Sequence, residues 1–321
     1  MTTPGVPPIP VIIDTDPGLD DALALLLALG SPEIDVIGVT TVAGNTTLAN
    51  ATVNALRVLE LAGRTDIPVA AGAPRGLIRE AFRTAESFHG ADGLGGLPLP
   101  PPSTRPVDAH AVDFIAERLL ASTEPVTVVA IGPLTNIALL AATRPEAAAR
   151  IGRLVVMGGA ARGGNMTPTS EFNVWADPEA AHRVFAAGLP LTMVGLDVTD
   201  RAVVTSRDVD VLRTGGRIGR FVAAAVDFYG GLHQDHYGTT DSYQHDALAV
   251  AEVIEPGIVY TSHLHVEAEY GSGLTRGTTV VDVHGVTGQV PNTHVALEFD
   301  HPRFVELLMS RLKDLDGRLG G

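Results

Sequence analysis

Asp14-Thr15-Asp16-Pro17-Gly18-Leu19-Asp20-Asp21 sets four carboxylates within eight residues, between the apolar runs Pro10–Ile13 and Ala22–Leu29. Part of this is ordinary helix chemistry. Asp16 ahead of Pro17 suits an N-cap with proline at the first helical position, and Asp20 and Asp21 in the opening turns complement the helix dipole. Capping accounts for one or two acids. Four at the end of a buried strand repel one another unless a cation or strong donors sit among them. An all-oxygen set with no cysteine and little histidine nearby points to a hard cation. Calcium fits best, because it takes about six to eight oxygens including backbone carbonyls; magnesium is the alternative, usually with more retained water and a phosphate ligand. A metal beside a free carboxylate activates water, since the metal lowers its pKa and the carboxylate removes its proton. The pattern therefore predicts metal-assisted hydrolysis.

The elements that must position this cluster alternate along the chain. Pro10–Ile13, Val36–Val42, Val126–Ile131, Leu154–Met157 and Leu191–Val198 read as buried strands, and Ala22–Leu29, Leu48–Ala62 and Leu134–Ala142 as helices. Apolar strands separated by helices predict one α/β domain over residues 1–321, Rossmann-like, with an open, mostly parallel central sheet flanked by helices. Residues 1–10 and 313–321 are expected to be flexible ends. Polar residues gather just after the strands, at Asp14–Asp21, Gly44–Asn45, Gly132–Asn136 and Gly158–Asn173. Ligands of open α/β sheets bind outside the carboxyl ends of the strands, so these segments should meet in one crevice. Leu94–Pro106 reads as an irregular loop, and Gly215–Tyr243, mixing helix formers with Gly, His and Tyr, as a second flexible wall.

Composition narrows the function. A formal charge of −15 argues against nucleic-acid polymers and anionic membranes and suits a small neutral substrate. The absence of cysteine removes disulfides, thiolate nucleophiles and zinc–thiolate sites. Met1–Pro10 lacks the features of a signal peptide, and Ala22–Leu29 is far too short to span a membrane, so a cytoplasmic protein is expected. Lys313 is the sole lysine. A haloacid-dehalogenase-like phosphatase, with Asp14 as nucleophile and Asp16 as acid, would resemble its family in needing a basic residue in the core site, and Lys313 is too near the end of the chain to serve. A P-loop is missing, as is a glycine-rich turn after the first strand.

The Asp14–Asp21 segment resembles the N-terminal signature of the nucleoside hydrolases, the inosine–uridine preferring ribohydrolases. Further segments similar to that family follow in order: Val42-Ala43-Gly44-Asn45, His89-Gly90, Gly132-Pro133-Leu134-Thr135-Asn136, Met157-Gly158-Gly159, Asn165, Glu171–Pro178, His245-Asp246 and Val295–Leu312. The resemblance spans about residues 11–312. It implies hydrolysis of the N-glycosidic bond of ribonucleosides through an oxocarbenium-like transition state. Asp16, Asp21, Asp246 and the backbone carbonyl of Ile131 would ligate Ca2+, and Asp16 would be general base toward the calcium-bound water. Asp20, Asn45, Asn165, Glu171 and Asn173 would bind the ribose, with Met157 near the sugar; Phe172, by its type, reads as a core or pocket-wall aromatic. His245 and His89 would face the base, His245 being the better acid for the leaving group. A homodimer or homotetramer is implied as well.

Each residue has a plainer reading. Asn45 suits a turn, Glu171 and Asn173 suit a loop or a cap, and Met157 suits the core. Asp177 before Pro178 reads as a helix start and Asp14 as a support behind the metal ligands. His182 and His301 read as surface residues, while His233 and His236 are as readily structural as base-contacting. The base-selecting wall is expected from Arg79–Leu97 and Arg220–Tyr243, with Tyr229, Tyr237 and Tyr243 as its aromatic candidates. A calcium-containing protein that binds nucleosides or sugars without turnover is the non-enzymatic alternative.

Overall fold

A computed structural model describes residues 7–80, 84–271 and 273–319. The side chains of His233, His236 and Tyr237, and residues 81–83 of the expected base wall, lie outside that description. The β-branched segments form strands β1 (Ile9–Thr15), β2 (Ile34–Thr41), β3 (Val69–Ala71), β4 (Val126–Ala130), β5 (Ile151–Met157), β6 (Leu191–Val194), β7 (Val203–Val204), β8 (Ser242–Tyr243), β9 (Val259–Leu264), β10 (Val266–Ala268), β11 (Thr279–Val281) and β12 (Thr293–Phe299). Eight of them make one sheet in the order β3-β2-β1-β4-β5-β6-β12-β9. Every neighbouring pair is parallel except β12 with β9 at one edge. The remaining strands pair as antiparallel ribbons, β7 with β8 and β10 with β11.

Both faces of the sheet are covered, which is why β4 and β6 are buried throughout and, apart from Thr127 and Thr192, apolar. On β1, Val11 and Ile13 pack into one core while Ile12 packs into the other, as the period of two requires. The first core is built on the helix Leu19–Gly30, buried along its whole length because Leu48–Leu61, His245–Ile254 and His301–Leu319 pack around it. The second lies under Ala111–Ala121, Thr135–Thr143 and Pro178–Phe185. Strand order reverses at β1: β2 and β3 lie to one side, β4 to β6 to the other. Connections therefore leave β1 and β4 in opposite directions and open a crevice at their carboxyl ends. Asp14 to Asp16 and Ile131 stand at that crevice.

Several expectations need correcting. Leu191–Val198 is not one strand: β6 ends at Val194, and Leu196–Thr199 turns into a short helix. Gly215–Tyr243 is no loose wall, because Arg217–Tyr237 forms a single 21-residue helix whose apolar face packs on the first core. Residues 313–319 continue the last helix instead of forming a flexible tail. Phe304, Leu308, Leu312 and Leu315 recur at helical spacing and are buried, and Asp316 accepts from the N–H of Gly216 and Ile218 at 2.5 and 3.0 Å. At the other end, Ile9 and Pro10 already belong to β1. His182 and His301 are half-buried, His182 against Tyr270 and His301 with its Nε2 on the Val203 carbonyl at 2.9 Å.

Candidate active site

The helix after β1 begins at Leu19 with Gly18 as its cap, so Asp16 is not the N-cap residue expected of it. The carboxylate that reaches back to the cap backbone is that of Asp21, in the helix's first turn. Its carboxylate accepts from the N–H of Gly18 at 2.8 Å, from Thr15 Oγ1 at 2.5 Å and from Asn45 Nδ2 at 2.9 Å. Asp16 is left fully buried beneath the crevice. Asn45 N–H donates to its Oδ2 at 2.5 Å, while its Oδ1 is buried without a hydrogen-bond partner. Glycine is required where two loops close over this carboxylate: a Cβ on Gly132 would stand 2.6 Å from Asp16 Oδ1, and one on Gly44 would clash with Oδ2.

Asp246 arrives from the other side of the core, in the first turn of the helix His245–Ile254 that packs on Leu19–Gly30. One carboxylate oxygen from each of Asp20, Asp21 and Asp246 lies within 4.8 Å of the others. Burial, then mutual repulsion, holds the carboxyls of Asp16, Asp20 and Asp246 well above the usual carboxylate range. Asp20 Oδ1, like Asp16 Oδ1, is buried without a hydrogen-bond partner. Unpartnered oxygens, mutual repulsion and an all-oxygen donor set fit a divalent cation, so the cluster could hold a metal ion. The Ile131 carbonyl is at the same place and accepts from Asn173 Nδ2 at 3.0 Å. Asp14 stands behind, its Oδ1 accepting from Thr40 Oγ1 at 2.5 Å and Asn136 Nδ2 at 2.8 Å. Burial still pushes its carboxyl up to about 6.

Above the acids opens a cavity of about 570 Å³. Asp20, Asn45, Met157, Asn165, Glu171, Phe172, Asn173, His89, His245, Asp246 and Ile131 all line it, so nearly every residue singled out from the sequence meets here. Asp16 and Asp21 sit beneath, fully buried. Glu171 caps the short helix Phe172–Ala176, accepting from the N–H groups of Gly159, Asn173 and Val174 at 2.8 to 3.1 Å. Burial nevertheless raises its carboxyl to about 7. Cap and pocket wall are thus one residue. Asn173 also donates to the Met157 carbonyl at 3.2 Å, and Asn165 Oδ1 accepts from Phe172 N–H at 2.9 Å. Asp177 caps the helix Pro178–Phe185 and stays out of the cavity, as its position before proline implied.

The opposite end is aromatic. His89 stacks on Tyr229 with ring centroids 5.5 Å apart, and its Nδ1 accepts from Leu19 N–H at 3.2 Å. Tyr243, held by the β7–β8 ribbon, stacks on His245 at 5.9 Å. Thr199 Oγ1 lies 2.8 Å from His245 Nδ1 and orients that ring. Thr199 and its neighbour Asp200, a further lining residue, were missed in the sequence because Leu191–Val198 read as strand. The available signal was a polar pair just past an apolar run. Loss of hydration and Asp197 raise Asp200 to about 6. No lysine or arginine is among the described lining residues, so the site suits a neutral or cationic ligand. A larger groove of about 810 Å³, mostly apolar around Leu77, Ala148 and Leu189, lies elsewhere and contains none of these acids.

Residues 11–306 match the family model described as inosine-uridine preferring nucleoside hydrolase. The pyrimidine-specific ribonucleoside hydrolase RihA of Citrobacter koseri is 45% identical over 306 residues, covering 95% of this chain and 98% of its own. RihA of Photobacterium profundum is 46% identical over 305 residues, with 94% and 98% covered. The solved structure of the purine-preferring ribonucleoside hydrolase of Gardnerella vaginalis superposes with a TM-score of 0.90 at 34% identity, covering 96% of this chain and 99% of that one. The plant nucleoside hydrolase PpNRh1 gives 0.89 at 35%, with the same coverage. Among the described residues no helix is long and apolar enough to cross a membrane. Similarity that runs nearly end to end, in sequence and in fold, means that the chain belongs to the inosine-uridine preferring nucleoside hydrolases, enzymes that break the N-glycosidic bond of nucleosides.

Proposed function

We propose that this protein is a calcium-dependent ribonucleoside hydrolase that prefers pyrimidine nucleosides and releases ribose and the free base. The observation that carries the reading is the convergence of the Asp20, Asp21 and Asp246 carboxylates beneath a nucleoside-sized cavity. Asp16, Asp21, Asp246 and the Ile131 carbonyl would hold the ion, with Asp20 close enough to share in it or to reach the sugar. When bound, calcium would offset the repulsion among these acids and lower the pKa of water at the site.

The protein's own groups do the rest. Asp16 takes the proton of the attacking water through Oδ1, the oxygen not committed to Asn45. Asp20, Asn45, Asn165, Glu171 and Asn173 hold the ribose, and Met157 packs against it. As the C1′–N bond lengthens, positive charge grows on the sugar, and the surrounding carboxylates favour it. His245, oriented by Thr199, donates a proton to the departing base, and His89 on Tyr229 forms the facing wall. Pyrimidine preference is supported by identities of 44 to 46% to the pyrimidine-specific relatives, against 34% to the purine-preferring one. Assembly as a homodimer or homotetramer and residence in the cytoplasm belong to the same reading.

Ribose release from uridine, cytidine, inosine and adenosine, by wild type and Asp16→Ala, tests it. Uridine and cytidine should be cleaved fastest, and the variant should lose roughly 100-fold or more, the range of a missing general base. Faster cleavage of inosine would overturn the pyrimidine preference. No release from any of the four by folded, calcium-replete protein would leave a nucleoside binder without turnover.

A further inference from the structure

A second cavity, of about 640 Å³, opens where the helices Leu48–Leu61 and Arg217–Tyr237 meet the segment Leu97–Pro100. Its floor and sides are apolar, from Leu61, Leu97, Leu99 and Phe221, and three arginines line it: Arg57, Arg217 and Arg220. Some arginines elsewhere are held by a carboxylate, as Arg153 is by Glu252 and Arg276 by Glu179. These three form no ion pair among the described residues. Arg57 Nε is buried with no hydrogen-bond partner, and Arg220 is tied to the Gly215 carbonyl alone, at 2.8 Å. The one acid in the lining, Glu60, turns its Oε1 to the N–H and hydroxyl of both Ser103 and Thr104 at 2.6 to 3.0 Å and pairs with none of the three.

Three guanidiniums gathered in a concavity repel one another, and a chain of net charge −15 has ample carboxylate to neutralise them. Only Glu60 shares the cavity with them, one negative charge against three positive ones and in ion-pair contact with none. An anion would offset that repulsion and accept the unused N–H groups, while the apolar walls would cover a ring or alkyl body. The geometry also ties the cavity to the active site. Arg217, Arg220, Phe221 and Ala224 lie one helical turn apart on the same face. Further along that helix Phe228 meets Gly95, and Tyr229 stacks on His89. Asn54 on the other helix holds the Asp92 carbonyl at 2.8 Å. The stretch 89–100 is therefore a strap with His89 at one end and this cavity at the other.

We propose that the cavity binds a small organic anion, a phosphate or carboxylate carrying an apolar or aromatic body, and that its occupant braces the strap that carries His89. Phenyl phosphate, inorganic phosphate and benzyl alcohol separate the contributions of charge and ring in calorimetric titrations of the full-length protein. Phenyl phosphate should bind about tenfold or more tightly than either partial probe. The double variant Arg57→Gln/Arg220→Gln should lose that binding by about tenfold or more, the worth of one charge-assisted hydrogen bond, with its ribonucleoside hydrolysis unchanged. Amide hydrogen exchange over residues 84–100 should slow with phenyl phosphate in wild type and not in the variant. Equal binding of phenyl and inorganic phosphate would mean an adventitious ion only and would overturn the proposal. So would equal binding by wild type and variant, or an altered oligomeric state in the variant, which would make the groove a contact between copies of the chain. Binding without slowed exchange would overturn the bracing of the strap.

Discussion

Removing the proposed cation should invert the usual pH dependence of stability. Buried carboxylates with raised pKa values bind more protons in the folded than in the unfolded state, so the folded state is favoured at low pH. Their contribution is fully present below the unfolded pKa and is lost as pH rises through the folded one. For Glu171 that window runs from 4.5 to about 7, and for Asp14 from 3.8 to about 6. Asp16, Asp20 and Asp246 act in the same direction, from 3.8 upward. Glu171 by itself is worth about 3 kcal/mol across its window, at about 1.4 kcal/mol per pH unit. A chain of 321 residues unfolds with an entropy near 0.7 kcal/mol/K at about 2 cal/mol/K per residue, so that loss corresponds to a fall in Tm of about 4 °C. The assay is calorimetric unfolding of chelator-treated protein between pH 5 and 7.5, repeated with excess calcium. Added calcium at about a hundred times its Kd should restore roughly 2.7 kcal/mol at pH 7.5 and much less at pH 5, where the ligands are protonated. A metal-free protein whose Tm rises from pH 5 to 7.5 would refute the reasoning, as would calcium stabilising equally at both pH values.

Other consequences are simpler. If the proposed ribose site of Asp20, Asn45, Asn165, Glu171 and Asn173 holds each hydroxyl, 2′-deoxyuridine should be cleaved at least about 100-fold less efficiently than uridine, read as kcat/KM. Asn136→Ala removes the donor to Asp14 and Thr41 and the acceptor of Ala73 N–H. Leaving those buried groups unpaired should cost about 3 to 5 kcal/mol, a Tm lower by about 4 to 7 °C in calorimetry. Thr199→Val deprives His245 of its 2.8 Å partner and should slow uridine cleavage about tenfold. It should spare p-nitrophenyl riboside, whose leaving group departs without a proton; equal loss on both substrates would remove Thr199 from a role in leaving-group chemistry.

Much of this protein was legible along the chain because its chemistry follows its strands. The polar segments after β1, β2, β4 and β5 announced a crevice, since a parallel sheet puts all its carboxyl ends on one edge. The period of apolar residues marked the covered sheet and the helix Leu19–Gly30 for the same reason. The four acids of Asp14–Asp21 signalled a hard cation by repulsion alone. What failed were segments whose character depends on a distant partner. Arg217–Tyr237 holds its glycines in a helix because its apolar face is buried, and residues 313–319 stay helical because Leu312 and Leu315 close the first core.

Roles within the site were decided by the tertiary structure. Adjacent acids of the same type took different work. Asp21 is filled by donors from Gly18, Thr15 and Asn45, whereas Asp14, Asp16 and Asp20 each keep one unpartnered oxygen, with Asp14 held by Thr40 and Asn136, because only the folded neighbours determine which oxygen is already satisfied. Asp246 joins them across more than two hundred residues because two helices pack with their N-termini together. Residue type and strand order determined, from the sequence by itself, that acids would meet at a sheet edge. Which of their oxygens find donors, which carboxylates draw together, and that three arginines gather in a second cavity are settled by side-chain packing between elements far apart in the chain, and no local pattern encodes that.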